Sequence, residues 1–186
     1  MAILDQSQII EMGFASFGKN IAISNRASFY NCKKISLGNN VRIDDFCVLS
    51  AGVGGIFLGN YIHIAVYSSL MGAGTISLAD FSNISSKVAI YSSSDDFSGE
   101  WMTNPTIPER LTGVVRADVT IGRHVIIGSG TVILPGVTVG EGTAIGALSL
   151  VKSNCESFGI YAGTPARRIG ERSRRILELE KQFMPD

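Results

Sequence analysis

Residues 121–151 read IGRHVIIGSGTVILPGVTVGEGTAIGALSLV, with an aliphatic residue at every sixth position and glycine directly after most of these residues. A helix repeats about every 3.6 residues and an open strand about every two, so neither explains a period of six. Short strands joined by tight corners do explain it, because glycine reaches the positive φ that a corner needs. The stretch therefore predicts a β-solenoid with its aliphatic side chains turned inward. These positions are Ile121, Ile127, Ile133, Val139, Ile145 and Val151.

The same period runs through residues 17–90, interrupted by slips of two or three residues. The slips fall after every third repeat, where one coil would pass to the next, and this predicts three strands per coil. An ordinary β-sandwich with accidental spacing is the alternative interpretation. Residues 1–16 carry a short amphipathic pattern and are predicted to cap the first coil, because an open solenoid end needs a cover.

The repeat is interrupted by residues 92–118, which we call the excursion loop. This segment is too long for an ordinary connection between strands, which indicates a functional role. The solenoid domain is predicted to span residues 17–164. Residues 165–186 are predicted to form a C-terminal amphipathic helix, whose basic first half fits either a phosphate site or a solvated face. Its apolar positions are Ile169, Ile176, Leu179 and Phe183.

The composition narrows the possible partners. Sixteen basic residues balance sixteen acidic residues, which gives no electrostatic case for a nucleic-acid or membrane-surface partner. No stretch approaches the roughly 18 apolar residues of a membrane span, and the N-terminus lacks a basic segment before an apolar run. A cytoplasmic protein without membrane insertion is therefore expected. The three cysteines are expected to be reduced thiols with small, buried side chains; they are Cys32, Cys47 and Cys155.

Two further classes of chemistry find no support in the sequence. A histidine-ligated zinc site of the carbonic anhydrase kind needs three histidines, and the chain has two and no CxxC motif. No metal is therefore expected. The glycine-rich phosphate loop of nucleotide-hydrolysing enzymes is also absent from the sequence.

The six-residue repeat, followed by YAGTPARRI at residues 161–169, resembles the hexapeptide-repeat acyltransferases. The stretches YSSSDDFSGEWMTNPTIP, GALSLV and GIYAGTPARRI resemble more narrowly the subgroup that acylates dTDP-4-amino-4,6-dideoxyglucose, which is related to galactoside and maltose O-acetyltransferases. The resemblance implies an all-β solenoid, a left-handed parallel β-helix, assembled as a homotrimer with sites between neighbouring coils. It also implies acetyl-CoA as co-substrate and a nucleotide sugar as acceptor, in surface polysaccharide synthesis such as that of lipopolysaccharide O-antigen.

The resemblance also suggests which residues contact coenzyme A. Ser129 and Ala147 match positions that line the pantetheine path through backbone groups. Lys152, Ser153 and Arg167 match positions near the phosphates and adenine. The related acetyltransferases have Thr-Lys where this chain has Lys152 followed by Ser153, so Arg168 is the candidate to take the lysine's place. The alternative for Lys152 is a solvated corner residue.

The candidate catalytic groups are Asp95, Asp96 and His63. Related O-acetyltransferases carry a histidine in the excursion loop where this chain has Asp95 followed by Asp96. A sugar hydroxyl needs a base with a pKa near 7, and an ordinary aspartate, with a pKa near 3.9, is too weak. A neutral sugar amine attacks a thioester directly, so the missing histidine favours N-acylation over O-acylation. A turn-forming role for the aspartate pair is the alternative.

His63 occupies the same repeat position as Arg42 and Asn83 in the neighbouring coils, which predicts an outward polar ladder. The ladder would be either a wall of the acceptor site, with Asn83 binding the acceptor, or plain surface. Tyr91, Ser94 and Trp101 are the other predicted acceptor contacts, although subunit packing explains the two aromatic residues equally well. His124, in a corner of the repeat, is expected at the surface.

Three functions follow from these residues. The leading hypothesis is an acyl-CoA-dependent N-acyltransferase, which transfers acetyl to the amine of a dTDP-4-amino-4,6-dideoxyhexose. The second is an O-acetyltransferase that uses His63 or an aspartate-assisted mechanism on a sugar or other small alcohol. The third is a trimeric β-helix scaffold without catalysis, which would not bind coenzyme A.

Overall fold

A computed structural model of the chain describes residues 2–184. Nearly all strands are two to four residues long, and corners separate them. In chain order the strands are β1 (Ser16–Phe17), β2 (Ala22–Ile23), β3 (Ser28–Tyr30), β4 (Ile35–Leu37), β5 (Arg42–Ile43), β6 (Val48–Ala51), β7 (Ile56–Leu58), β8 (His63–Ile64), β9 (Ser69–Gly72), β10 (Ile76–Leu78), β11 (Asn83–Ile84), β12 (Ala89–Tyr91), β13 (Ser93–Ser94), β14 (Val115–Arg116), β15 (Val119–Ile121), β16 (Ile126–Ile127), β17 (Val132–Ile133), β18 (Thr138–Val139), β19 (Ala144–Ile145), β20 (Leu150–Val151), β21 (Gly159–Gly163) and β22 (Ala166–Glu171).

The strands stack into three parallel sheets, with one strand of each coil in each sheet. The first sheet has the order β1-β4-β7-β10-β15-β18, and the second has β2-β5-β8-β11-β16-β19-β21, extended by antiparallel β22. The third sheet has the order β3-β6-β9-β12-β17-β20. Three strands per coil, predicted from the slips in the repeat, are therefore confirmed.

Each coil has three corners, and the corners of successive coils form three edges along the solenoid. We call edge A the corners between the first and second sheets, such as residues 38–41. Edge B lies between the second and third sheets, at residues 44–47 of the same coil. Edge C lies between the third and first sheets, at residues 52–55, and in a triangular coil it is opposite the second sheet.

The core consists of the aliphatic residues that are six positions apart. Ile121, Ile127, Ile133 and Val139 are each 0% exposed, which confirms the inward orientation predicted for them. Thr131, Thr143 and Ser149 are also buried, and each hydroxyl donates to a backbone carbonyl of a nearby corner. In the first coil Phe17 and Phe29 are only partly buried, because no coil covers their N-terminal side.

Helix α1 (Gln6–Glu11) partly covers that open end. Asp5 caps the helix, since its carboxylate accepts from Gln8 N and the Gln8 side chain accepts in return from Asp5 N. Ile9 is the buried residue of the helix and joins the solenoid core.

The C-terminal segment differs from the prediction, because its first part is a strand and helix α2 spans only Arg175–Phe183. Strand β21 ends the second sheet and would expose an unpaired edge. Strand β22 turns back and pairs with β21 in antiparallel fashion, which satisfies these backbone groups. The prediction of a helix from residue 165 was therefore wrong for residues 166–171, where Ile169 is exposed.

The excursion loop leaves the solenoid at edge C, after β12, and returns at β15. Its base is a two-stranded antiparallel ribbon of β13 and β14.

Two short 3-10 turns also occur, at Cys32–Lys34 in the first coil and at Glu109–Leu111 within the loop. Neither α1 nor α2 is long and apolar enough to cross a membrane, and no other helix within residues 2–184 is.

Candidate active site

The four residues expected near the coenzyme A phosphates lie together. Lys152, Ser153, Arg167 and Arg168 line one cleft of about 160 Å³, where the corner after β20 meets strand β22. Arg168 is held by Glu156 at 3.0 Å and by Glu171 at 2.9 Å. Lys152 and Arg167 form no ion pair within residues 2–184 and are exposed. Lys152 and Arg167 are therefore the cations available to a phosphate, rather than Arg168.

Ser129 and Ala147 lie in successive corners of edge B. Leu148 N donates to Ser129 O at 2.9 Å, and Gly130 N donates to Ser86 O at 3.0 Å. The residue that follows Ala147 and the residue that follows Ser129 therefore each connect neighbouring coils. The N–H groups of Ser129 and Ala147 themselves donate to no acceptor within residues 2–184. They are consequently available to a carbonyl group of a ligand that lies along edge B.

The close approach of these coils requires glycine at position 128. A Cβ atom on Gly128 would lie 2.5 Å from Ala147 N, nearer than any side-chain carbon can come. The turn between β21 and β22 is also tied to edge B, because Gly163 N donates to Ser149 Oγ and Thr164 Oγ1 donates to Leu148 O. This turn links edge B to strand β22, which carries Arg167.

The two aspartates of the excursion loop differ in what they contact. Asp96 accepts from Ser98 Oγ at 2.8 Å, from Gly99 N at 2.8 Å and from Trp101 N at 3.4 Å. The hydrogen bond from Ser98, together with the backbone donors, lowers the pKa of the Asp96 carboxyl. Asp95 is exposed, and its carboxylate makes no hydrogen bond or ion pair within the described chain. Asp96 therefore holds the loop in shape, and Asp95 is the carboxylate that a ligand can reach.

The other predicted acceptor contacts lie near the base of the loop. Ser94 pairs with Val115 in the ribbon, and its hydroxyl donates to Asp95 O at 3.1 Å. The Trp101 ring packs against Gly113, where a Cβ atom would lie 2.5 Å from the ring, and Trp101 is 52% exposed. Tyr91 ends β12, in register with Met71 of the preceding coil, and is half-buried.

The polar ladder on the second sheet is confirmed by the strand register, which pairs Arg42 with His63 and His63 with Asn83. Asp44, which was not predicted from the sequence, contacts both Arg42 and His63. Its carboxylate accepts from Arg42 Nε at 2.8 Å and lies 2.9 Å from His63 Nε2. Burial alone would raise the pKa of the Asp44 carboxyl, but its bonds with His63 and Arg42 outweigh that effect and lower the pKa. The sequence does mark Asp44 as unusual, because a carboxylate stands there where the other coils that carry this corner have a small residue. These small residues are Ser24, Ala65, Ser85, Gly128 and Gly146.

The candidate catalytic groups are not brought together within one protomer. Asp95 follows the loop base at edge C, whereas His63 and Asn83 lie on the second sheet. Edge C is opposite the second sheet, so Asp95 and His63 are on different sides of the coil. A site that uses both groups requires a second copy of the chain.

His124 is buried, contrary to the expectation of a surface position. Its ring is 4% exposed and stacks on Phe81 with the centroids 5.0 Å apart, and its Nε2 atom lies 2.7 Å from Glu180 Oε2. Phe183 meets Tyr61 edge to face on the same surface. The expectation was wrong because helix α2 lies over edge A and covers this corner.

The three cysteines are free thiols, as expected. Cys47 and Cys155 are buried, whereas Cys32 is only partly buried. Within residues 2–184 no group of three or more His, Cys, Asp or Glu side chains is arranged to hold a metal ion.

Comparison with known proteins agrees with this architecture. The family model described as bacterial transferase hexapeptide (six repeats) matches residues 118–153. An Escherichia coli protein named dTDP-4-amino-4,6-dideoxy-D-glucose acyltransferase is 56% identical over 185 residues, which cover 100% of this chain and 96% of that protein. The chain therefore belongs to the hexapeptide-repeat acyltransferases.

Solved structures confirm the left-handed parallel β-helix. An Asp-to-Asn variant of AntD, an N-acyltransferase from Bacillus cereus, in complex with dTDP and coenzyme A, has a TM-score of 0.94 and 46% identity and covers 98% of both chains. A Ser-to-Cys variant of AntD binds dTDP-4-amino-4,6-dideoxyglucose and coenzyme A, with a TM-score of 0.93 and 46% identity over 97% of this chain and 96% of that one. A galactoside acetyltransferase complex with coenzyme A, 24% identical, shares the fold at a TM-score of 0.58 over 91% of this chain and 70% of that one.

Proposed function

We propose that this protein is an acyl-CoA-dependent N-acyltransferase, which transfers acetyl from acetyl-CoA to the amine of a dTDP-4-amino-4,6-dideoxyhexose. The observation that carries the proposal is the 56% identity, over the whole chain, to an acyltransferase named for such a sugar. The AntD complexes support both ligands, since they contain coenzyme A together with dTDP or the amino sugar. One AntD structure contains 3-hydroxybutyryl-CoA, so the identity of the transferred acyl chain has to be tested with both thioesters.

The arrangement of edge B supports a donor subsite. The phosphates of coenzyme A would lie at Lys152 and Arg167, and the pantetheine arm would run along the corners that contain Ala147 and Ser129. The free N–H groups of these corners would bond the arm and stabilise the oxygen of the tetrahedral intermediate, as preorganised backbone donors do.

Asp95 would orient the acceptor amine. The neutral nitrogen attacks the thioester carbonyl carbon, and the carbon–sulfur bond breaks as the tetrahedral intermediate collapses. Asp95 accepts the proton that the nitrogen loses as the intermediate collapses, and the proton then passes to the coenzyme A sulfur. An ionised carboxylate suits this task, because it binds the ammonium form on arrival and accepts a hydrogen bond from the reacting nitrogen. The ammonium form releases one proton to solvent before the neutral nitrogen attacks.

The chain would work as a homotrimer in the cytoplasm, in the synthesis of a surface polysaccharide such as O-antigen. The separation of Asp95 from the second sheet supports a multimeric site, because the loop of one subunit could then face the second sheet of its neighbour. An O-acetyltransferase is the second candidate. The contact of His63 with Asp44 favours it, since a carboxylate orients a histidine that acts as a base.

The test measures thiol release from acetyl-CoA and from 3-hydroxybutyryl-CoA, with dTDP-4-amino-4,6-dideoxyglucose and its 4-hydroxy counterpart as matched acceptors. We expect release with the amine alone and a product whose mass has increased by one acyl group. Release with the alcohol would establish the O-acyltransferase instead. Absence of both turnover and coenzyme A binding would favour the scaffold.

A further inference from the structure

Two buried hydroxyl groups hold the corner of edge B that contains Ala147. Thr131 Oγ1 donates to Gly146 O at 3.0 Å, and Ser149 Oγ donates to the same carbonyl oxygen at 2.7 Å. Thr131 is 0% exposed and Ser149 is 2% exposed, so both hydroxyls lie inside the coil. The carbonyl of Gly146 is therefore directed into the core, where two donors satisfy its two lone pairs.

The direction of this carbonyl fixes the direction of the next N–H group. Gly146 C=O and Ala147 N–H belong to one peptide group, and in a planar trans peptide these two bonds point in nearly opposite directions. Since the carbonyl points into the core, the Ala147 N–H points out of the coil. Ala147 is exposed, and its N–H donates to no acceptor in the described part of the chain. Two groups that are themselves buried thus hold a free donor outward.

Thr131 and Ser149 also connect this corner to its surroundings. Ser149 N donates to Thr131 Oγ1 at 3.4 Å, so the Thr131 side chain reaches both ends of the corner. Ser149 Oγ accepts from Gly163 N at 3.2 Å, in the turn that precedes Arg167. The Ser149 hydroxyl therefore links the corner that would bind the pantetheine arm to the strand that would bind the phosphates.

The solenoid does not need such a hydroxyl in every coil. The register of β12 and β17 places Val88 and Thr131 at equivalent positions. Ser68, one coil before Val88, donates to Ser85 O at 2.9 Å and makes the same contact to the next corner. Val88 has no hydroxyl, so it cannot make this contact to the corner that contains Ser129. A role of Thr131 in ligand binding therefore has to be separated from plain stabilisation of a corner.

We propose that Thr131 and Ser149 are positioning residues of the donor subsite, which hold the Ala147 N–H toward a carbonyl group of the pantetheine arm. The inference rests on the proposed function and adds the groups that preorganise its donor. The two hydroxyl bonds to the Gly146 carbonyl also polarise the peptide group, which makes its N–H a stronger donor. A donor that is already fixed binds the arm more tightly, because less freedom is lost on binding.

The test compares coenzyme A with 3′-phospho-ADP, which has the same adenosine and phosphates but no pantetheine arm. Both ligands are titrated into the full chain by calorimetry. Thr131→Val removes one hydroxyl at nearly constant volume and should raise the Kd for coenzyme A about fivefold, as the loss of one buried hydrogen bond predicts. The Kd for 3′-phospho-ADP should not change, because this ligand does not reach Ala147.

Three further variants separate positioning from stability. Thr131→Ser keeps the hydroxyl and should restore most of the coenzyme A affinity. Thr143→Val makes the same change at edge A, where the buried Thr143 hydroxyl donates to Glu156 O at 2.9 Å, and should bind coenzyme A as the wild type does. Ser149→Ala should raise the Kd for coenzyme A at least as much as Thr131→Val, and it decides the question if Thr131→Val does not fold. Thermal melting shows whether each variant is folded.

The outcomes distinguish this inference from the proposed function. If the folded Thr131 and Ser149 variants bind coenzyme A as tightly as the wild type does, the positioning role is refuted and the proposed function stands. If Thr131→Val weakens coenzyme A and 3′-phospho-ADP equally, the hydroxyl only stabilises the C-terminal coils, and the positioning role is again refuted. If the wild type does not bind coenzyme A, the proposed function fails and the inference fails with it.

Discussion

His124 Nε2 lies 2.7 Å from Glu180 Oε2, which joins a solenoid corner to a helix 56 residues further along the chain. Arg123 also bonds to Glu180, and the Glu180 side chain is only 18% exposed. The aromatic rings of Tyr61, Phe81 and Phe183 surround this contact. Helix α2 is therefore attached to edge A by one carboxylate and a small aromatic cluster.

We expect Glu180→Ala to destabilise the attachment of α2 by about 1–3 kcal/mol, because the buried His124 ring loses its partner. Hydrogen exchange over residues 175–183 should become faster, with little change in the solenoid strands. Glu178→Ala on the exposed side of the helix is the control. Unchanged exchange in the Glu180 variant would contradict the attachment.

Ile133→Asp should prevent folding of the solenoid, because Ile133 is 0% exposed and a charge there would have no partner. Ile133→Val should cost only about 0.5–1.5 kcal/mol, since it removes a single methylene. Circular dichroism and size-exclusion chromatography distinguish these results. A stable, soluble multimer that carries the aspartate would refute the inward assignment of this position.

Asp95→Asn should lower kcat about a hundredfold, a typical loss for a group that handles a proton, with little change in coenzyme A affinity. Asp96→Ala should act differently, because Asp96 holds the loop through Ser98, Gly99 and Trp101. Limited proteolysis should cut the excursion loop faster in the Asp96 variant than in the Asp95 variant. Equal turnover of Asp95→Asn and the wild type would remove the proposed role of Asp95.

Lys152→Ala and Arg167→Ala should each raise the KM for acetyl-CoA about tenfold, through loss of one charged contact to a phosphate. Arg168→Ala is the matched comparison and should have a smaller effect, because Glu156 and Glu171 already occupy its guanidinium. If Arg168→Ala raises the KM for acetyl-CoA more than the other two substitutions do, the ion pairs of Arg168 with Glu156 and Glu171 must open when coenzyme A binds.

Burial raises the pKa of the Cys47 and Cys155 thiols to about 11. Since the thiolate is the reactive form, both should be almost unreactive toward a thiol reagent at pH 8 in the native protein and reactive after unfolding. Burial also raises the pKa of Cys32, but Cys32 is more accessible and should react first. Rapid modification of all three thiols at pH 8 would contradict the burial of Cys47 and Cys155.

Much of the fold could be predicted, because the six-residue period is a local property that each coil repeats. The candidate coenzyme A residues were instead predicted from the resemblance to related acyltransferases, and the structure brings four of them, Lys152, Ser153, Arg167 and Arg168, into one cleft. Asp44 was missed because its two contacts are side chains on β5 and β8, and the period specifies only which residues point inward. The burial of His124 was missed because nothing near it in the sequence indicates that α2 returns to cover edge A.

The sequence by itself determined the three-sided solenoid, its buried positions, the excursion loop and the absence of a histidine from that loop. Only the tertiary structure decided that residues 166–171 form a strand, that Asp96 is occupied by its own loop while Asp95 is accessible, and that Asp95 and His63 face different sides. The reason is that a repeat fixes backbone stacking through short-range periodicity. Side-chain partners and the path of the C-terminus depend on contacts between segments that are distant in sequence, which no local pattern encodes.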